Sequence, residues 1–151
     1  SFATKKMRAR RLLFIPVKNL YQLFLHAAIL MMLSNPVHAS PLLRCLVSYA
    51  GSTHTIETGL TRQPYDVESI DIGGRFRFKA IMVGAGDNID YIKLYAYFQT
   101  RSNNIPIHQA SYLPPFAVSM TPINLTPINH LYAGDVEREL QYQCTLQEVV
   151  P

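Results

Sequence analysis

Not one aspartate or glutamate occurs before residue 40, although six of the 14 Lys and Arg lie there; all ten acids follow. A stretch with cations and no acids is not built like the mixed-charge surface of a folded domain. Cysteine is scarce as well: Cys45 and Cys144 are the only two, 99 positions apart. That spacing excludes a CxxC redox pair. No HxH or HExxH pairing occurs among the five histidines, so the short-spaced zinc and copper motifs are absent. Neither GxSxG nor SxxK organises a nucleophile. Gly84-Ala85-Gly86 lacks the third glycine and the following helix of a phosphate cradle. After residue 39 no apolar stripe recurs at helical spacing beyond a turn or two in 133–140, which excludes a helical bundle.

What is present begins with an address. Met7-Arg8-Ala9-Arg10-Arg11 is followed by the apolar run Leu20 to Leu33 and then by Val37-His38-Ala39-Ser40. A cationic start, a short apolar stretch and small residues at the cleavage pocket are the parts of a secretory signal. Residues 1–39 therefore read as a helical export signal cut between Ala39 and Ser40, with Ser1 to Lys6, ahead of the first methionine, set apart from it. The run contains Gln22 and His26 and falls short of the roughly 20 apolar residues of a spanning helix. Membrane association is expected only through this segment, were it left uncleaved. The destination is the periplasm or the exterior.

Removal of the signal changes the charge balance. Of the 14 Lys and Arg, six leave with it, and the remaining eight face ten acids, a net charge of about −2 in place of +4. Nucleic-acid binding loses its basic face and is not expected.

Residues 40–151 suit a single domain near the size where burial leaves a small margin. Their pattern has a period of two: Leu43, Cys45, Val47 and Tyr49; Phe76, Phe78, Ala80 and Met82; Leu140, Tyr142, Cys144 and Leu146, each set alternating mainly with polar neighbours. The nearly continuous apolar segment Ile89 to Thr100 reads as a central strand covered on both sides. Glycine and asparagine clusters separate the runs, and Met82 to Ile92 reads as a hairpin. The prolines of 106–127 make Ser111 to His130 an irregular or extended crossing. The fold class is thus all-β: an antiparallel β-sandwich of six to eight strands, immunoglobulin-like or jelly-roll-like. Cys45 and Cys144 fall on the dry sides of the first and last strands, and in an oxidising compartment they are expected to bond. The two strands must then be neighbours, with Cα atoms within about 7 Å.

No catalytic constellation can be assembled from these residues, and no cofactor is expected. The leading reading is an exported non-catalytic module that binds a protein, an envelope component or a small ligand. Tyr91, Tyr95 and Tyr97 share one face of a strand with Lys93, opposite Ile92, Leu94, Ala96 and Phe98. A second candidate surface is the long loop with Tyr112, Phe116 and the tandem duplication Thr121-Pro122-Ile123-Asn124-Leu125, Thr126-Pro127-Ile128-Asn129-His130. Its candidate contacts are Ile123, Asn124, Ile128 and Asn129. Two alternatives stand beside it: a small envelope enzyme or metal-binding protein using His54, His108 and His130, and a structural subunit assembling by edge-strand pairing.

Overall fold

A computed structural model describes residues 37–150. The expected signal, apart from Val37, His38 and Ala39, lies outside the described residues. Ser40, after the expected cleavage point, is the first residue of β1 (Ser40–Tyr49). Nine strands follow: β2 (Ser52–Thr58), β3 (Leu60–Thr61), β4 (Ile70–Ile72), β5 (Phe76–Ala85), β6 (Asn88–Gln99), β7 (Asn104–Tyr112), β8 (Ile123–Asn124), β9 (Asn129–Ala133) and β10 (Arg138–Val149). A short 3-10 turn, Pro64–Asp66, is the one helical element among the described residues.

The strands form two five-stranded sheets. The first runs β2-β1-β10, with β8 and β9 both paired to the far edge of β10; the second runs β3-β5-β6-β7, with β4 also on β5. Period-two alternation produces these sheets directly, since Leu43, Cys45 and Val47 of β1 and Leu140, Tyr142, Cys144 and Leu146 of β10 are buried. Phe76, Phe78, Ala80 and Met82 of β5 and Ile92, Leu94 and Ala96 of β6 are buried from the other sheet, in the same cluster. Each fully buried Leu, Ile or Phe contributes about 1.5–3 kcal/mol. Aromatic contacts cross between the sheets: Tyr49 meets Phe76 edge-on at 5.1 Å, and Phe78 meets Tyr142 at 5.0 Å.

Three expectations are corrected. There are ten strands rather than six to eight, because two-residue ladders at β3 and β8 and the three-residue β4 extend the sheet edges beyond the long apolar runs. The sheets are not wholly antiparallel, since β3 pairs with β5 in parallel. That pairing arises because the chain leaves the first sheet at Gly59 and enters the second without reversing. Finally, an immunoglobulin-like or jelly-roll arrangement needs Greek-key crossings. Among the described strands, neighbours are close in chain order (β1-β2, β5-β6, β6-β7, β9-β10), and only the β1-β10 pair joins distant segments. The residues expected to allow one or two helical turns, 133–140, hold the β9-β10 turn instead.

The expected disulfide is present, and the register explains it. Cys45 and Cys144 lie directly opposite each other on β1 and β10, with Cα atoms 4.0 Å apart. The N–H of Cys144 donates to Thr126 Oγ1, and its carbonyl accepts from the N–H groups of Leu125 and Thr126. Both backbone groups of Cys144 therefore point away from β1. The cysteines form a non-hydrogen-bonded pair, the position where antiparallel strands bring side chains closest.

Candidate functional site

The outer face of the second sheet gathers the tyrosines of β6. Ladder register sets Tyr91 beside Val83, Lys93 beside Ile81, Tyr95 beside Lys79 and Tyr97 beside Arg77. The rings of Tyr95 and Tyr97 are stacked, 6.3 Å apart and 17° from parallel, and Lys93 Nζ stands 5.3 Å from the centre of the Tyr91 ring. Such a cation over a ring is attracted by the ring's negative face. The 3-10 turn adds Pro64 and Tyr65 as a wall. The result is a cleft of about 270 Å³ lined by Pro64, Tyr65, Lys79, Ile81, Tyr91, Lys93, Tyr95 and Tyr97.

Among the described residues, no carboxylate lines this cleft. Asp71 lies opposite Arg77 at one end of the face, where Gln99 and the Gly74 N–H hold its carboxyl below the usual range, with Arg77 assisting. Arg77 itself is engaged by Ser69 through Oγ and the carbonyl. Among the described residues, Lys79 and Lys93 make no ion pair, and the hydroxyls of Tyr65, Tyr91, Tyr95 and Tyr97 make no side-chain hydrogen bond. Partial burial, and then the Tyr95 hydroxyl, pushes the Tyr97 phenol up. Tyr65 is 94% exposed. The covering expected over both faces of β6 is therefore incomplete: its inner positions are buried while Tyr91, Lys93, Tyr95 and Tyr97 are only half-buried.

Tyr112 is not part of this surface. It pairs with Ile92 and faces the core side, near Tyr142 and His108. Tyr142 is 1% exposed, and its hydroxyl lies 2.7 Å from His108 Nε2. Burial pushes the Tyr142 phenol well up, with the Tyr112 hydroxyl adding to it, and burial pushes the His108 imidazole down. This is a satisfied polar cluster in an apolar core, where an unmet hydroxyl is costly. Phe116 packs against the core and lines a separate small cavity with Asp87, Asn88 and Pro115.

The tandem duplication does not stand off as a free loop. Its first copy contributes Ile123 and Asn124 to β8, opposite Leu146 and Thr145; its second contributes Asn129 and His130 to β9, opposite Tyr142 and Gln141. Between them Thr126, 2% exposed, offers Oγ1 to the Cys144 N–H. A hydroxyl thus replaces the backbone acceptor that the ladder lacks in the gap between β8 and β9. Ile128, 57% exposed, is the apolar side chain that protrudes there, while Asn129 turns its amide back to the Pro127 carbonyl.

The three histidines are not brought together. His54 is on β2 opposite Val47, His108 contacts Tyr142, and His130 pairs with Glu139. Among the described residues no group of three or more His, Cys, Asp or Glu is placed to hold a metal.

A larger cleft was missed by sequence reasoning. It has a volume of about 710 Å³ and lies where the ends of β6 and β7 meet the β9-β10 turn. The lining takes Arg75 from ahead of β5 and Asp135 and Arg138 from the β9-β10 turn, too far apart in the chain for spacing to group them. Comparison with protein-family models, curated proteins and solved structures finds no match to this chain.

Proposed function

We propose that this chain is an exported, non-catalytic β-sandwich that binds an envelope component through the tyrosine and lysine face of its second sheet. The sandwich reading follows from two sheets sharing one buried cluster. Export is supported by the acid-free cationic start, the apolar run and the disulfide, which persists outside the reducing cytosol.

One observation carries the binding role: a concave surface with four tyrosines and two lysines whose polar ends make no ion pair or side-chain hydrogen bond among the described residues. Tyrosine combines a flat apolar body with a polar tip at low entropic cost, and is enriched at recognition surfaces for that reason. The lysines favour an anionic partner. Edge-strand assembly has weaker support, since β7, an edge of the second sheet, carries Pro106 and a register shift at Ala96/Tyr97, both of which blunt strand addition.

Co-sedimentation with the native envelope fraction tests the role. Tyr91→Ala, Tyr95→Ala and Tyr97→Ala combined, or Lys79→Glu with Lys93→Glu, should abolish retention while the circular-dichroism spectrum stays that of the wild type. Equal retention of all three proteins would remove this face from consideration.

A further inference from the structure

We propose that the cleft between the β6 and β7 ends and the β9-β10 turn is a second binding site, for a small amphiphile with one carboxylate and an alkyl body. Its volume of about 710 Å³ lies within the range of small-ligand sites. It shares no lining residue with the tyrosine cleft.

The fold goes to some length to form this cavity. Gly134 has φ +84, and a Cβ there would come within 2.8 Å of Phe98 Cζ, so the turn can close over the Phe98 ring only with glycine at that position. Glu137 sits in the left-handed region at φ 48, which costs a non-glycine residue of the order of 1 kcal/mol. This turn brings Asp135, Val136 and Arg138 to the mouth of the cleft. On the other side, the register shift in β7 supplies both Ile105 and Ile107 to the lining.

Two chemistries meet in that lining. Phe98, Ile107 and Ala133 form an apolar floor continuous with the core. Ile105, Tyr132 and Val136 form the rim and remain 47%, 60% and 70% exposed. Large apolar side chains gathered around one concavity mark a contact site more than the same residues scattered singly. The polar part is cationic in excess: Arg75 and Arg138 against Asp135. Arg138 is oriented by donating from Nη1 to Tyr49 Oη at 2.9 Å. Arg75 makes no ion pair or side-chain hydrogen bond among the described residues, and Asp135 pairs with neither arginine.

A net single positive charge beside an apolar wall matches one carboxylate on an alkyl chain. A dianionic phosphate would exceed the net single positive charge of the two arginines and Asp135, and a neutral alkyl chain would leave the Arg75 guanidinium without an ionic partner. A guanidinium also meets a carboxylate with two parallel hydrogen bonds, which gives the head a fixed position.

Calorimetric titration of the disulfide-intact full chain below micelle-forming concentrations tests this, with dodecanoate, dodecanol and dodecyltrimethylammonium as probes. Saturable binding is expected for dodecanoate alone. Arg75→Gln should weaken it about tenfold or more, as loss of a charge-assisted hydrogen bond implies. Ile105→Asp should weaken it as well, and both positions are exposed enough to leave the fold intact. Tyr95→Ala should leave dodecanoate binding unchanged, which separates this site from the tyrosine face. Dodecanol binding as tightly as dodecanoate, an Arg75→Gln protein that binds equally well, or no saturable binding would each overturn the proposal. So would tighter binding of a peptide with a free C-terminal leucine than of dodecanoate, which would reassign the cleft to a polypeptide end.

Discussion

The outer faces of the two sheets are built on the same ladder geometry and treat their polar groups in opposite ways. On the first sheet, Arg44 donates from Nε to Glu57 Oε1 at 2.8 Å across the β1-β2 pair, and the Ser48 and Thr53 hydroxyls meet at 2.7 Å. Along β10 and β9, Gln141 donates to Glu139, which also pairs with His130. Charges and hydroxyls on that face largely answer one another. On the second sheet, Lys79, Lys93 and the tyrosines of β6 sit in neighbouring ladder positions and, among the described residues, make ring contacts but no ion pair or side-chain hydrogen bond. Cross-strand pairs of opposite charge stabilise a sheet locally; a face that forgoes them leaves its polar groups open to the partner proposed above. The first sheet also carries the disulfide and the longest-range strand pairing, whereas the proposed recognition face belongs to the second.

The sharpest break of that contrast is removal of the staple. Cys45→Ala with Cys144→Ala should cost up to about 4.7 kcal/mol in the chain-entropy picture for a loop of about 100 residues. Urea denaturation measures it, and a loss below about 1 kcal/mol would mean that the β1-β10 ladder holds the domain without the bond. Next in size is Thr126→Val, which leaves the Cys144 N–H without its acceptor in a buried position. A loss of about 1–3 kcal/mol is expected, with faster amide exchange at Cys144. Tyr142→Phe, which strips the partner from His108 inside the shared core, should cost about 1–2 kcal/mol by the same reasoning.

A smaller effect comes from pH. Burial holds the folded His108 imidazole below its ordinary 6.5, so the unfolded chain takes up the proton first. Its contribution to stability is complete above 6.5 and is lost as pH falls from there through the folded value. The depressed carboxyls of Asp71 and Glu139 act in a separate, more acid window beneath their ordinary 3.8 and 4.5. His108→Gln should therefore flatten the decline in denaturation midpoint just below pH 6.5 and leave the more acid decline in place. The smallest stability effect is expected on the outer faces. Tyr95→Ala and Gln143→Ala should each change stability by less than about 1 kcal/mol, yet only the tyrosine change should reduce envelope retention. Equal loss of retention from both would dissolve the distinction between the faces.

Much of this arrangement was legible in the chain. Alternation at Leu43 to Tyr49, Phe76 to Met82 and Leu140 to Leu146 marked three inner faces, because side chains on a strand must point alternately to its two sides. The hairpin after Met82 and the pairing of Cys45 with Cys144 were readable for similarly local reasons. The small ladders were not: Ile123-Asn124 and Leu60-Thr61 have no period of their own and become strands only because β10 and β5 offer them a free edge. Thr126 looked like half of a repeated turn motif, and nothing in its neighbours announces a hydroxyl serving the Cys144 backbone. Of the candidate contacts, Tyr112 is turned inward and Ile123 lies in a ladder, placements that packing between distant strands decides.

By itself, the sequence determined which faces are dry, where the chain turns, that two cysteines would meet and that Tyr91, Tyr95 and Tyr97 share a side with Lys93. Each of these depends on residues a few positions apart or on chemistry that acts at any distance once thiols oxidise. Only the tertiary structure decided that the sheets follow chain order, that Pro64 and Tyr65 wall the tyrosine face, and that Arg75, Phe98, Ile105 and Arg138 surround one cleft. Those neighbours come from separate strands, and strand register, which side chains far apart in the chain negotiate by packing, sets who meets whom.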